Sequence, residues 1–193
     1  MEENKAVFPS VNEVENELRR ERYKKKYRLS MRSTIFTLIT VAAVAILVAT
    51  LWLPVLEIYG DSMSPGLSDG EIVVSTKSSS FERGDVIAFY YNNKVLIKRV
   101  IATAGETVDI KEDGTVIING EEVVEDYITD KAFGNCDIDL PYQVPENRIF
   151  VMGDHRSVSV DSRNTVVGCV GEEQIVGKIV FRVWPMKVFG PIE

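Results

Sequence analysis

From Ser33 to Leu53 the chain reads STIFTLITVAAVAILVATLWL, 21 residues without a charge, a glycine or a proline. In hydrocarbon every backbone N–H and C=O must find a partner inside its own segment, so a run of roughly 20 apolar residues folds as a spanning helix. A cleaved leader has a shorter apolar region and a small-x-small exit, whereas this run ends on the bulky Leu51, Trp52 and Leu53. A buried core helix rarely carries apolar residues on every face for this length. Arg19, Arg20, Arg22, Lys24, Lys25, Lys26, Arg28 and Arg32 precede the run, and no basic residue follows it until Lys77. This asymmetry predicts a retained single-pass anchor in the cell membrane, with the N-terminus in the cytoplasm and the rest on the extracytoplasmic side. Trp52 and Tyr59 are expected at the far interface. The expected division is a cytoplasmic segment 1–32, an anchor 33–55 and an extracytoplasmic domain 56–193. Glu13, Glu15, Glu17 and Glu21 beside the basic cluster suggest a short amphipathic helix before the anchor.

The net charge of −7 hides a second asymmetry. Residues 1–56 carry nine basic and six acidic side chains, and residues 57–193 carry thirteen and twenty-three, so the two parts hold +3 and −10. A domain this acidic argues against nucleic acid as a partner, since that needs basic patches to neutralise phosphate. Cys136 and Cys169 match no metal-ligand spacing, and the sequence leaves open whether they pair or stay free. No metal or cofactor is expected. Beyond the anchor, EIVVSTK, DVIAFYY, KVLIKRVIATA, TVDIKEDGTVIING, RIFVMGD and IVGKIVFRVW read as strands. Asn92-Asn93, Asp113-Gly114 and Asn119-Gly120 supply hairpin turns. The fold class is therefore mainly β: one transmembrane helix, then an antiparallel, barrel-like sheet domain with an irregular section around 121–145.

Against this background YGDSMSPGLSDG, residues 59–70, stands out. Gly60, Pro65, Gly66 and Gly70 make it a loop, either a polar linker or a mount for Ser62. A serine hydroxyl attacks only when a neighbouring base takes its proton. The single histidine, His155, lies near Asp154 and Asp161 and offers one candidate triad, though no GxSxG elbow accompanies Ser62. Lys98 offers another base. In KVLIKRVIA, alternation sends Leu96, Lys98 and Val100 to one face and Ile97, Arg99 and Ile101 to the other. An amine flanked by Leu96 and Val100 is costly to bury charged, so burial lowers its pKa and leaves a neutral base; the alternative is an exposed edge lysine. A guanidinium cannot do this. In MGDHRSVSVDSR, Ser157 or Ser159 can orient the amine, and Asp161 can pair with Arg163 to brace the loop.

Four blocks, GDSMSPGL (60–67), RGDVIAF (83–89), KRVIATAGETV (98–108) and GDHRSVSVDSR (153–163), in this order behind one anchor, resemble the type I signal peptidases, membrane-bound serine proteases with a Ser-Lys dyad. The resemblance covers about residues 30–190. It implies Ser62 as nucleophile, Lys98 as general base and Ser159 as the hydroxyl that hydrogen-bonds the amine. It implies Asp161 and Arg163 as the supporting pair, Asp154 and Arg99 as structural positions, and Ile58, Tyr59 and Ile97 as walls of the pocket for small side chains. Substrates would be signal peptides of exported preproteins, cut after a small-x-small pattern at the bilayer surface. Three positions depart from the pattern. Gly60 replaces a serine that helps hold the oxyanion in some members, His155 replaces an asparagine, and Gly66 replaces a threonine, which is expected to loosen the loop. An inactive assembly ectodomain and a self-cleaving repressor-type protease are the competing readings. Retention of both dyad residues opposes the first; the anchor opposes the second.

Overall fold

The structure, a computed structural model, describes residues 11–78 and 80–192, without the side chains of residues 49–52. The expected interfacial position of Trp52 therefore falls outside the described side chains, and residues 1–10 of the expected cytoplasmic segment lie outside the description altogether. The chain forms two compact units, 1–49 and 50–193.

The described part of the first unit is wholly helical and belongs to helix α1, which runs Val11–Trp52, 42 residues long. No break separates the charged segment from the apolar one, so the short separate helix expected before the anchor is instead the first part of one rod. At 1.5 Å per residue it spans about 63 Å, twice a hydrocarbon core of roughly 30 Å. Every described side chain on it is exposed. In the apolar half, Thr34, Thr37 and Thr40 donate their hydroxyls to the carbonyls of Ser30, Ser33 and Phe36, four residues back. Their polar atoms are thus satisfied within the helix, as hydrocarbon demands. In the charged half, Glu21 and Lys24 pair at 2.7 Å. This is a helix long and apolar enough to cross a membrane.

The second unit is an antiparallel β domain. Its strands are β1 Val55–Glu57, β2 Ile72–Thr76, β3 Val86–Tyr91, β4 Lys94–Ala102, β5 Thr107–Ile110, β6 Val116–Ile118, β7 Glu121–Glu122, β8 Tyr142–Gln143, β9 Arg148–Met152, β10 Val170–Gly171, β11 Ile175–Trp184 and β12 Gly190–Pro191. The larger sheet runs β1-β2-β11-β3-β4-β9-β10, with β12 on β11; the smaller runs β7-β6-β5-β8. The larger sheet does not close into the barrel suggested by the strand pattern. Its outermost strands, β1 and β10, are three and two residues long, too short to complete a ring of ladder bonds. The asparagine turns behave as their chemistry requires: Asn92 and Asn119 adopt positive φ, 52° and 54°, where they join β3 to β4 and β6 to β7.

β3 reads as an unbroken apolar run because both of its faces are covered. Val86 and Ala88 join a cluster with Ile58, Met63, Leu67, Val73 and Ile179, while Ile87 and Phe89 join one with Val100, Ile149, Val151 and Val170. Met63 and Leu67, both fully buried, root the 60–70 loop in the first cluster. Their burial stabilises it by roughly 1.5–3 kcal/mol each. A third cluster joins the end of β4, β9 and the smaller sheet, around Ile101, Val108, Val116, Phe150 and Met152.

Candidate active site

Lys98 sits in the middle of β4, paired across to Ile87 of β3. Its amine nitrogen lies 2.7 Å from Ser62 Oγ, a hydrogen bond joining residues 36 apart in sequence. Lys98 is 3% exposed, and burial pushes its amine pKa down. The carboxylates of Asp161 and Asp154 act against that shift, and the Arg163 guanidinium adds to it. Alternation places Arg99 on the opposite face, yet it too is 3% exposed, so both faces of this strand are covered. Arg99 makes the two-pronged contact that a planar guanidinium favours: Nε donates to Asp154 Oδ1 at 2.9 Å and Nη2 to Asp154 Oδ2 at 2.8 Å. Its Nη1 donates to the carbonyl of Gly84, inside the RGDVIAF block, at 2.7 Å.

The loop 153–163 is built on a second buried pair. Arg163 donates from Nε and Nη2 to the two carboxylate oxygens of Asp161 at 2.8 and 2.9 Å, and from Nη1 to Phe133 O at 2.8 Å. Asp161 Oδ2 also accepts the Gly153 N–H at 3.0 Å. The hydroxyl of Ser159 is buried and has no hydrogen-bond partner among the described residues. The bond to the amine that the resemblance implies is therefore not formed here, although Asp161 and Arg163 do pair. His155 donates its backbone N–H to Ser62 O at 3.1 Å, and its Nδ1 lies 3.3 Å from Asp61 O. The imidazole thus addresses a backbone carbonyl, while the hydroxyl of Ser62 is partnered by Lys98. The Ser62 N–H has no acceptor among the described residues.

A groove of about 670 Å³ opens beside Ser62 and Lys98, between residues 55–63 and 94–98. Ile58 and Ile97 line it, Ile58 fully buried, and Tyr59 stands at its rim, 79% exposed, with its hydroxyl donating to Glu57 at 2.9 Å. Its two sides are strand edges. Beyond β2, β1 has no strand partner among the described residues, and β4 meets β9 only from Arg99 onward.

Sequence reasoning missed several residues that shape the site. A Cβ on Gly153 would collide with Ser159 Oγ and Ser62 O, so only glycine allows the two loops this contact. Gly66, already singled out in the sequence, is closely packed: a Cβ there would stand 2.7 Å from Asp154 Oδ2, and its carbonyl accepts from Arg182 Nη2 at 2.5 Å. Arg156, wholly buried, donates to both oxygens of Glu125 and from Nε to Gly153 O at 3.1 Å. Gly153 and Arg156 lie inside the motif block, which offered a signal; Glu125 lies in the irregular section and offered none. Cys136 and Cys169 are free thiols. No group of metal-ligating side chains occurs among the described residues.

Comparison with known proteins places relatives beside this chain. The signal peptidase family, peptidase S26, matches residues 31–184. Signal peptidase IB of Staphylococcus aureus is 38% identical over 152 residues, 68% of this chain and 78% of that protein. Signal peptidase I of Bacillus amyloliquefaciens is 35% identical over 161 residues, 77% and 82% of the two chains. A signal peptidase I structure from Enterococcus faecalis aligns at 32% identity and TM-score 0.42, over 52% of this chain and 97% of that one. The chain belongs to the signal peptidase family, peptidase S26. It is accordingly a hydrolase, a serine endopeptidase with signal peptidase I function.

Proposed function

We propose that the protein cleaves signal peptides from exported preproteins after a small-x-small pattern, with Ser62 and Lys98 as a catalytic dyad. One observation carries the reading: a buried amine 2.7 Å from a serine hydroxyl, at the end of an open groove. Desolvation disfavours the ammonium form, so a neutral Lys98 is available to accept the Ser62 proton. Ser62 Oγ then attacks the scissile carbonyl, and the oxyanion meets the free Ser62 N–H. Gly60 cannot add a side-chain donor, and one such donor is worth about 2.7–4 kcal/mol. As the tetrahedral intermediate collapses, the Lys98 ammonium returns its proton to the departing amine and an acyl-enzyme remains. Lys98 then takes a proton from water, the hydroxide releases the acid, and Ser62 recovers its hydrogen.

The unpartnered edges of β1 and of the Lys94–Lys98 half of β4 suit an extended peptide, which would continue a ladder while its side chains meet Ile58, Tyr59 and Ile97. Asp161, Arg163, Asp154 and Arg99 hold the two loops, and Ser159 lies beside the dyad. With α1 read as the anchor at 33–55, residues 1–32 are cytoplasmic and 56–193 form the extracytoplasmic catalytic domain; the basic flank of the helix supports that direction. The test is cleavage of a secreted precursor by detergent-solubilised protein, followed by sequencing of the new N-terminus. Ser62→Ala and Lys98→Ala should each abolish product, and wild-type turnover by either variant would reject the dyad.

A further inference from the structure

Outside the four motif blocks, one buried acid is joined to the Ser62 loop by polar contacts that meet on the short backbone stretch 153–155. Glu125 lies three residues beyond β7, in the section with no regular structure. Its side chain is fully buried, as is that of its partner Arg156. Arg156 Nη1 donates to Glu125 Oε2 at 2.9 Å, and Nη2 to Glu125 Oε1. The remaining Nε–H of Arg156 donates to Gly153 O at 3.1 Å. Two residues further on, the His155 N–H holds Ser62 O at 3.1 Å. The Gly153 N–H, on the other side of that residue, is held by Asp161. Glu125 therefore fixes the guanidinium that holds the 153–154 peptide, and the next peptide along, 154–155, carries the N–H on which the Ser62 carbonyl is hung. Tyr127 adds a second grip. Its hydroxyl donates to Glu125 Oε1 at 2.5 Å, and its ring lies 4.1 Å beneath the Arg99 guanidinium that clasps Asp154.

A buried ion pair is a poor stabilising device, because desolvation of both charges offsets their attraction. What two parallel N–H···O bonds supply is geometry. We propose that Glu125 is a positioning residue for the reaction: through Arg156 it sets the separation between the 153–163 loop and Ser62, and so the alignment of Ser62 Oγ with the Lys98 amine. The irregular section 121–145 is on this view a brace for the active site. The proposal rests on the Ser-Lys reading above.

The full-length chain in detergent is assayed with a precursor peptide, for wild type, Ser62→Ala, Glu125→Gln, the pair Glu125→Gln/Arg156→Met, and Glu121→Gln on the exposed edge of β7. Product from Ser62→Ala would overturn the dyad, independently of Glu125. With the dyad intact, Glu125→Gln should lower kcat about 10- to 100-fold, the loss expected from misplacing a reacting group by about 1 Å. KM should change less than about twofold, because groove contacts are untouched. The double variant removes the lone buried charge; it should recover the melting temperature yet stay slow. Glu121→Gln should match wild type. Wild-type kcat in the folded Glu125→Gln or double variant would overturn the assignment. So would failure of both to fold, which would make the pair an element of stability, or a loss carried by KM.

Discussion

At the residue scale the proposed dyad depends on one proton. Lys98 has its pKa lowered in the fold from the ordinary 10.5, chiefly by burial. Below its folded pKa the amine is an ammonium and cannot accept the Ser62 proton. Cleavage should therefore fall about tenfold per pH unit on the acid side and level off above the folded pKa, still below 10.5. Stability follows the same proton. Between the folded pKa and 10.5 the unfolded chain binds it and the folded chain does not, so folding stability rises with pH across that window. Lys98→Met should flatten this slope in urea melts taken at several pH values; an unchanged slope would refute the burial argument. Gly153 makes a second prediction. Gly153→Ala forces a methyl against Ser159 Oγ and Ser62 O, displacing the loop that carries Ser62. Overpacking of this kind costs about 1–3 kcal/mol. The measurable signature is a kcat loss of about 100-fold in protein that still melts cooperatively.

Among the elements, β4 does the most. One strand sends a lysine into the site from one face and an arginine into the Asp154 clasp from the other, because the sheet is covered on both sides. The Arg99–Asp154 pair is buried at both ends, at 2.8 Å. Removing one partner leaves an uncompensated charge, so Asp154→Ala should destabilise the domain by about 3–5 kcal/mol, read as a fall in denaturant midpoint. Loss of activity without loss of stability would contradict this. The β6–β7 turn behaves differently. Asn119 adopts φ 54°, and its side chain accepts the Thr107 N–H at 2.9 Å. Asn119→Ala should cost about 1–2 kcal/mol from left-handed strain, and kcat should not change. Hairpins of this sort were legible because Asn-Gly chemistry is local. β1, β10 and β12, each three residues or fewer, were not. Strands so short are specified by the ladder they join rather than by their own composition.

For the whole molecule, the β unit carries its own three clusters and its own groove, built among the described residues from Val55 onward. A chain beginning at Pro54 should accordingly fold and cleave a short soluble peptide. It should lose most of its rate on a precursor embedded in vesicles, where the anchor supplies local concentration. Equal rates on both substrates would deny the helix that role. The sequence by itself determined the helix, the strand-rich domain and the dyad candidates. Each rests on a short-range regularity: an uncharged run as long as a bilayer is thick, side-chain alternation, or a glycine-rich turn around a serine. Residue chemistry alone kept both His155 and Lys98 as candidate bases, 93 and 36 residues from Ser62, because chain separation says nothing about distance in space; only the family resemblance favoured Lys98. Only the tertiary structure set Lys98 at 2.7 Å and aimed His155 at Asp61 O. Only it drew Glu125 from an unpatterned segment against Arg156, since a buried charge takes whatever partner the packing brings within reach.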